Sequence, residues 1–438
     1  MSPTAADDRT EVGSYFIANY PPFSVWTPAA VEADVRPALA SPPSGVPLGL
    51  YLHIPFCRKR CHFCYFRVYT DKNAKEVQGY LDALAREWEL VSEQPAIAGR
   101  PLNFVYFGGG TPSFLSTRQL QSLVSRLDAV SPWRHAEEIT FECEPGTLTE
   151  AKLAAIREIG VTRLSLGVEN FDDRLLELNG RAHRSAEIGK AYAFARSLEF
   201  PQINIDLIAG MLGETEENWR ACVQKTLELE PDSVTIYQME LPFNTTISRT
   251  LRSGETPLDG DIAMWSTKRR WVGEAFAAFE DAGFTVASGY AVVRDPSTKF
   301  VYRDRLWQGA DMVGLGVASF GHINGVHMQN LDSFAPYCDS LVQGRLPLAR
   351  GLRPTPEERL IREFVLQMKL GELKPAYFTQ KYGVDVIERF REPLTGLAND
   401  GMLTFSSDRI SLSRDGLLRV DTLLPRFFLP EHRQLRYT

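Results

Sequence analysis

Six short apolar runs recur along the chain: GLYLHIPF, NFVYFGGG, EITFECEP, RLSLGVEN, QINIDLIAG and SVTIYQMEL. Their hydrophobic residues are nearly continuous, the pattern of strands buried on both faces. Between them lie VQGYLDALAREWELVSEQ, TRQLQSLVSRLDAV and EENWRACVQKTLELE, the last two with apolar residues at three- and four-residue steps, the period of an amphipathic helix. Strand–helix alternation predicts an α/β fold with a parallel sheet under helices. Six units are too few for an eight-fold barrel and fit a partial one. A helix over about 261–282 and the stretch FTVASGY are expected to extend the sheet edge.

The pattern changes at both ends. Residues 1–46 are rich in Pro, Ala and acidic groups, and PPF and SPPSGVP interrupt any long element, so they read as an arm over the body. Residues 47–349 form the core and its sheet extension. Residues 350–438 carry TPEERLIREFVLQMK, then helices near LKPAYFTQKYG and DVIERFREPLTGLAND, then MLTFSSDRISLSRDGLLRV. Three helices and a β-hairpin resemble a winged helix. The segment is not notably basic and has no Arg-rich recognition helix, which favours a packing or lid role over DNA binding.

Composition narrows the class further. A 44% hydrophobic, 24% charged chain of net charge −7 is an ordinary globular protein with no electrostatic call on nucleic acid or anionic membrane. No apolar run reaches the roughly 18 residues that span a bilayer. The opening MSPTAADDRTEVGSY lacks the basic and apolar regions of a secretory signal. Cys143, Cys222 and Cys338 stand singly, as reduced thiols do, and a cytoplasmic location is expected.

The candidate chemistry begins in YLHIPFCRKRCHFCYFR, where Cys57, Cys61 and Cys64 stand in C-x3-C-x2-C spacing after the first predicted strand. Three thiolates are one short of a closed zinc site, unless His53 or His62 completes it. They are also one short of saturating a [4Fe–4S] cluster, and the iron left open is a site that S-adenosylmethionine can chelate. Disulfide pairing would leave one cysteine over. Phe63, between two of the cysteines, serves either packing or the exclusion of water from a cluster edge. Downstream, FGGGTP carries three glycines where a strand ends, so that backbone can approach a ligand. Glu142 and Glu144, Glu169 and Asp206 close the next three predicted strands. Taken singly each reads equally well as a cap or ion-pair partner; taken together they point to a common ligand. Arg181, in LNGRAH, is a bidentate partner for a carboxylate.

The cysteine spacing with an aromatic before the last ligand resembles the radical S-adenosylmethionine superfamily. The order HIPFC-x3-C-x2-C, YFGGGTPSFL, E-x-x-PGT, LSLGVE-x-F, L-x-GRAH and NIDLI-x-G resembles its oxygen-independent coproporphyrinogen III oxidase family over about residues 48–335. The resemblance implies a partial (β/α)6-type barrel with a winged-helix-like C-terminal domain. It also implies a [4Fe–4S] cluster on Cys57, Cys61 and Cys64, and S-adenosylmethionine bound by Tyr51, Phe63, Gly109, Gly110, Thr111, Glu142, Glu169, Arg181 and Asp206, with Met239 a looser match. It implies radical hydrogen abstraction from a tetrapyrrole or another flat apolar molecule, fed by an external one-electron donor of flavodoxin or ferredoxin type. Two other activities on this scaffold are a radical methyltransferase and a haem chaperone. The chain departs from the oxidase at Phe66, where the family has a further cysteine, at Glu169, typically Gln, and at GMLGET, which lacks the usual Leu-Pro. From these departures, cofactor cleavage is expected to survive while coproporphyrinogen decarboxylation is weak or absent. His322 and His327 read either as loop residues or as groups facing a porphyrin.

Overall fold

A computed structural model describes residues 8–14, 16–254 and 260–435; residues 1–7 and 15 of the expected arm lie outside the described residues. All six apolar runs are strands: β1 (Leu48–Ile54), β2 (Leu102–Gly109), β3 (Glu138–Cys143), β4 (Arg163–Glu169), β5 (Gln202–Ala209) and β6 (Ser233–Gln238). They are followed by β7 (Thr285–Ser288), β8 (Ala291–Val293), β9 (Asp311–Leu315), β10 (Phe320–Ile323), β11 (Val326–Asn330) and β12 (Leu348–Leu352). The chain forms two compact units, one of Trp26–Asp206 with Lys299–Arg353, the other of the remaining stretches, and the division falls inside β5.

In the first unit β1, β2, β3 and β4 pair in parallel in chain order, and β9 joins the other side of β1, also in parallel. This is the open, partial-barrel α/β arrangement the apolar runs predict. Tyr51 lies opposite Tyr106, His53 opposite Gly108, and Glu142 opposite Ser165. Side chains alternate along a strand, so Tyr51 and His53 share one face of β1 while the buried Leu50, Leu52 and Ile54 take the other. Two helices cover neighbouring connections. Ala74–Ser92 starts on a capping box from Asn73 and Glu76, Thr117–Val130 on one from Ser116 and Gln119, and the Trp88 indole of the first donates to the Leu127 carbonyl of the second at 3.2 Å.

Two features of this unit were not legible in the pattern. The stretch singled out for its histidines holds β9, β10 and β11, the last two an antiparallel hairpin, with β12 added antiparallel. Glycines break its apolar runs for a packing reason: a Cβ on Gly314 would meet the Phe320 carbonyl oxygen at 2.0 Å. The arm also contains helical turns, Val31–Val35 and Arg36–Ala40, after a backbone pairing of Thr27 with Gly351. A Cβ on Gly351 would meet Val35 at 2.4 Å, so that glycine admits the helix.

In the second unit β6 pairs antiparallel with β8, and β8 with β7, next to the helix Trp265–Asp281. That is the predicted edge extension. Its C-terminal part has helices Pro356–Met368, Pro375–Tyr382, Val386–Arg389 and Arg391–Asn399, then a hairpin, Leu403–Phe405 with Ile410–Leu412. The winged-helix outline is present, with the third helix broken at Phe390 and the hairpin extended by Glu372–Leu373. Among the described residues no helix is long and apolar enough to cross a membrane.

Candidate active site

The cysteine loop leaves the C-terminal end of β1, the end at which parallel α/β folds gather their sites. Its base is closed by backbone bonds, Cys57 N–H to Tyr69 O at 3.1 Å and Tyr69 N–H to Pro55 O at 2.7 Å. Within it a turn brings the Cys64 N–H to the Cys61 carbonyl, and Arg60 donates to the Cys64 carbonyl at 2.9 Å. His62 pins the loop outward: its N–H bonds Asn179 O at 2.9 Å, and its Nδ1 lies 3.0 Å from Leu178 O. Arg58 ties it to the end of β3, donating to both Glu144 oxygens at 2.9–3.2 Å. His183 flanks the same carboxylate, 3.2 Å from Glu144 Oε1.

Two thiols are already addressed by donors from elsewhere in the fold. Thr111 Oγ1 donates to Cys57 Sγ and Arg181 Nη1 to Cys61 Sγ, each at 3.3 Å. Burial, then the neighbouring Cys61, pushes the Cys64 thiol up to about 12; burial pushes Cys57 to about 11. Loading a metal group here therefore releases protons. His53 and His62 do not complete a zinc set. His53 Nδ1 faces the Tyr51 hydroxyl at 3.2 Å and its Nε2 the Arg67 carbonyl at 3.4 Å, and burial holds its pKa down at about 4. Gly110 leaves room beside the loop: a Cβ there would meet Cys57 Sγ at 3.1 Å and Ile54 O at 2.8 Å. Three thiols on one loop, donors to two of them and a side-chain-free wall fit an iron–sulfur cluster.

At the other two glycines of the turn the absent side chain makes room for protein rings. A Cβ on Gly109 would strike the His53 ring at 2.4 Å, and its φ of +109° disfavours a side chain; one on Gly108 would meet Tyr106 at 2.7 Å. These glycines admit the site's own aromatic rings. The Gly109 N–H points to Glu142 Oε2 at 3.2 Å.

Beyond the turn, three carboxylates stand on neighbouring strands: Glu142 and Glu169 at the ends of β3 and β4, and Asp206, contrary to expectation, inside β5, where Leu207–Ala209 continue the strand. Glu142 accepts from the Tyr106 hydroxyl at 2.6 Å; Asp206 accepts from Ser165 and Asn204, each at 2.8 Å. Glu169 lies 3.5 Å from Arg181 Nη2. Burial raises Glu142 and Glu169 to about 7, and Asp206 pushes both in the same direction by like charge. Tyr51 stacks over Tyr106 at 5.8 Å and Tyr302 lies 4.2 Å from Tyr106, walling the basin with rings.

Cys57, Cys61, Cys64, Tyr51, Gly109, Gly110, Thr111, Glu142, Glu169, Arg181 and Asp206 thus belong to one linked arrangement, and Phe63 is half-buried in its loop. Met239 belongs to the second unit, where its N–H bonds Ala209 O at 2.8 Å and its carbonyl accepts from the buried Lys268 at 2.7 Å. His322 and His327 form a buried pair across β10–β11, ring centroids 4.8 Å apart, with Trp26 stacked on His327 at 5.0 Å. Neither is a loop residue, and the stacked Trp26 covers a face of the His327 ring, which disfavours the alternative that it faces a porphyrin. Sequence reasoning missed Arg58, Ser165, Asn204, Tyr106 and His183. All but Arg58 stand at defined motif positions, Tyr106 in YFGGGTPSFL, Ser165 in LSLGVE, Asn204 in NIDLI and His183 in GRAH, whereas Arg58 is one basic residue among several.

The Radical SAM superfamily profile matches residues 51–225, and that of the HemN C-terminal domain matches residues 355–419. The chain is 28% identical over 374 residues to the heme chaperone HemW of Bacillus subtilis, covering 84% of this chain and 96% of the relative. It is 28% identical over 415 residues to the oxygen-independent coproporphyrinogen III oxidase of Pseudomonas aeruginosa, covering 90% and 89%. The solved coproporphyrinogen III oxidase HemN of Escherichia coli, a radical SAM enzyme, superposes with a TM-score of 0.79 at 25% identity over 94% of this chain and 96% of that one. Fold and cysteine site together define a radical S-adenosylmethionine oxidoreductase, whose cofactors are a [4Fe–4S] cluster and S-adenosylmethionine. Within that class the chain is similar, over most of its length, to oxygen-independent coproporphyrinogen III oxidases and to HemW.

Proposed function

We propose that Cys57, Cys61 and Cys64 hold the cluster, and that Tyr51, Gly110, Thr111, Glu142, Glu169, Arg181 and Asp206 line the S-adenosylmethionine pocket, for hydrogen abstraction from a tetrapyrrole. The observation that carries this is the acidic basin beside Arg181, where Glu142, Glu169 and Asp206 gather on neighbouring strands. Two carboxyls pushed up to about 7 by burial and like charge call for a cation, and the cofactor brings a sulfonium and an ammonium. Arg181 keeps a buried Nε without a hydrogen-bond partner, a donor for the cofactor's carboxylate. A [4Fe–4S] cluster held by Cys57, Cys61 and Cys64 would supply the electron for reductive cleavage of an S-adenosylmethionine held by the strand residues and Arg181. The protein's part is to orient the cofactor against the strand ends and, through the Tyr51–Tyr106–Tyr302 wall, to keep water from the reacting carbon.

Phe66, 42% exposed and stacked on Tyr65 at 4.5 Å, offers a flat apolar surface next to the cysteine loop. That favours a planar substrate, and it replaces the thiol of the oxidases. We therefore expect weak or no conversion of coproporphyrinogen. A haem-chaperone reading stands second, favoured by the similarity to HemW over nearly that protein's whole length. The test is anaerobic reconstitution followed by product analysis with coproporphyrinogen, haem or a quinone. Enhanced 5′-deoxyadenosine with a tetrapyrrole supports the reading. Stable haem binding with no product supports the chaperone, and S-adenosylhomocysteine release supports a methyltransferase. Efficient formation of vinyl products would make this a plain oxidase.

A further inference from the structure

Arg181 does more in this arrangement than a carboxylate partner needs to do. Its Nη1 donates to Cys61 Sγ at 3.3 Å, while Nη2 donates to the Gly167 carbonyl at 2.5 Å and lies 3.5 Å from Glu169 Oε1. The seat for this guanidinium is built into the end of β4. A Cβ on Gly167 would crowd Glu169 Oε1 at 3.0 Å and Arg181 Nη2 at 3.3 Å. Glu169 itself holds φ at +63°, a left-handed conformation disfavoured for a residue with a side chain and retained only where the surroundings enforce it. Both side chains of the pair are 11% exposed, so water screens their charges little. Cys57 differs: it accepts its hydrogen bond from the neutral Thr111 hydroxyl.

We infer that Arg181 and Glu169 form a charge pair that sets the reduction potential of the cluster through Cys61. The guanidinium raises the potential and the carboxylate trims the rise. This rests on the reading that Cys61 is a cluster ligand. A ligand thiolate that accepts a hydrogen bond from a cation passes less electron density to iron, so the added electron of the reduced state is better accommodated. Glu169 cancels part of that field at short range. The step concerned is uptake of one electron from the external one-electron donor, with no bond formed or broken. Arg181 and Glu169 act as positioning and tuning residues for that step, in addition to any contact with S-adenosylmethionine.

The experiment compares reconstituted wild type, Glu169→Gln, the double variant Arg181→Met/Glu169→Gln and Cys61→Ala, all without S-adenosylmethionine. Iron and sulfide are quantified and the midpoint potential is read by EPR-monitored redox titration. Glu169→Gln should load normally and favour the reduced cluster about tenfold at fixed poise, 59 mV for a one-electron couple. The double variant leaves neither buried charge unpaired, and its potential should fall below that of Glu169→Gln. A fully loaded Glu169→Gln at the wild-type potential overturns the inference. So does a folded Glu169→Gln that no longer loads, since the pair would then be structural. Should the double variant fail to load, Glu169→Gln alone decides. A Cys61→Ala protein that still takes up a complete cluster overturns the ligand reading instead.

Discussion

Glu142 and Glu144 flank Cys143 at the end of β3, yet they belong to two regions of opposite electrostatic character. Glu144 sits in a tether. Burial acts to raise its pKa, but His183 and the Arg58 fork outweigh that and bring it down to about 2. Glu142 sits in a basin with Glu169 and Asp206, where burial and like charge leave it near 7. The tether is complete without any ligand, and what it holds is the cysteine loop. The basin gathers three carboxylates beside the guanidinium of Arg181, and the cationic cofactor is our proposal for what it binds. Glu144 and Glu142, on either side of Cys143, thus differ in whether cationic neighbours outweigh the cost of burial.

The largest expected effect lies where the two regions meet. Replacing Cys57, Cys61 or Cys64 by Ala should abolish 5′-deoxyadenosine formation and most cluster iron, whereas Cys222→Ala should change neither. Iron, sulfide and product assays decide it, and stoichiometric zinc in active protein without iron would sink the cluster assignment.

Breaking the tether comes next. Glu144→Ala leaves Arg58 and the fully buried His183 without their carboxylate, and because Arg58 is 38% exposed the cost should be modest. We expect about 1–3 kcal/mol in denaturant unfolding, with faster loss of iron. The pH dependence carries a sign. A carboxyl depressed from 4.5 to about 2 contributes stability that is present above about pH 4.5 and lost as the pH falls toward 2. Wild type minus Glu144→Gln should shrink across that window; a constant difference would mean the ion pair is not the source.

The basin should behave oppositely. Glu142 and Glu169 are raised from 4.5 to about 7, so their contribution to stability is full below about pH 4.5 and is lost as the pH rises through 7. A cationic ligand prefers the ionised form, so S-adenosylmethionine should bind more tightly as the pH rises from about 6 to about 8, by about tenfold. Calorimetric titration of Glu142→Gln and Glu169→Gln should show a flatter profile. An unchanged slope in both would remove the cation argument.

The smallest effect is expected away from both regions. His327 is buried between Trp26 and His322 on the β10–β11 hairpin. His327→Phe keeps a flat ring in that stack and should cost less than about 1.5 kcal/mol while leaving cofactor cleavage unchanged. A large drop in turnover would return this pair to the candidate site.

The chain itself determined the strands and the cluster loop, because both are written locally. A near-continuous apolar run must be buried on two faces wherever it lies, and three thiols seven residues apart end to end must share one loop. It also placed Glu142 and Glu169 at strand ends, whereas Asp206, expected at one as well, lies inside β5 because the apolar run continues through Ala209. Local pattern did not reveal the partners. Arg58 is one basic residue among several in RKR, and only folding sets it against Glu144, 86 positions away. Nor did local pattern reveal why Gly109 lacks a side chain: the ring of His53, which β1–β2 pairing sets opposite the neighbouring Gly108, fills the space a Cβ would need. The histidines looked chemical until antiparallel pairing set them against each other under Trp26. Strand register and burial are tertiary quantities, and they determine which of two similar carboxylates is neutralised by its neighbours and which is left for a ligand.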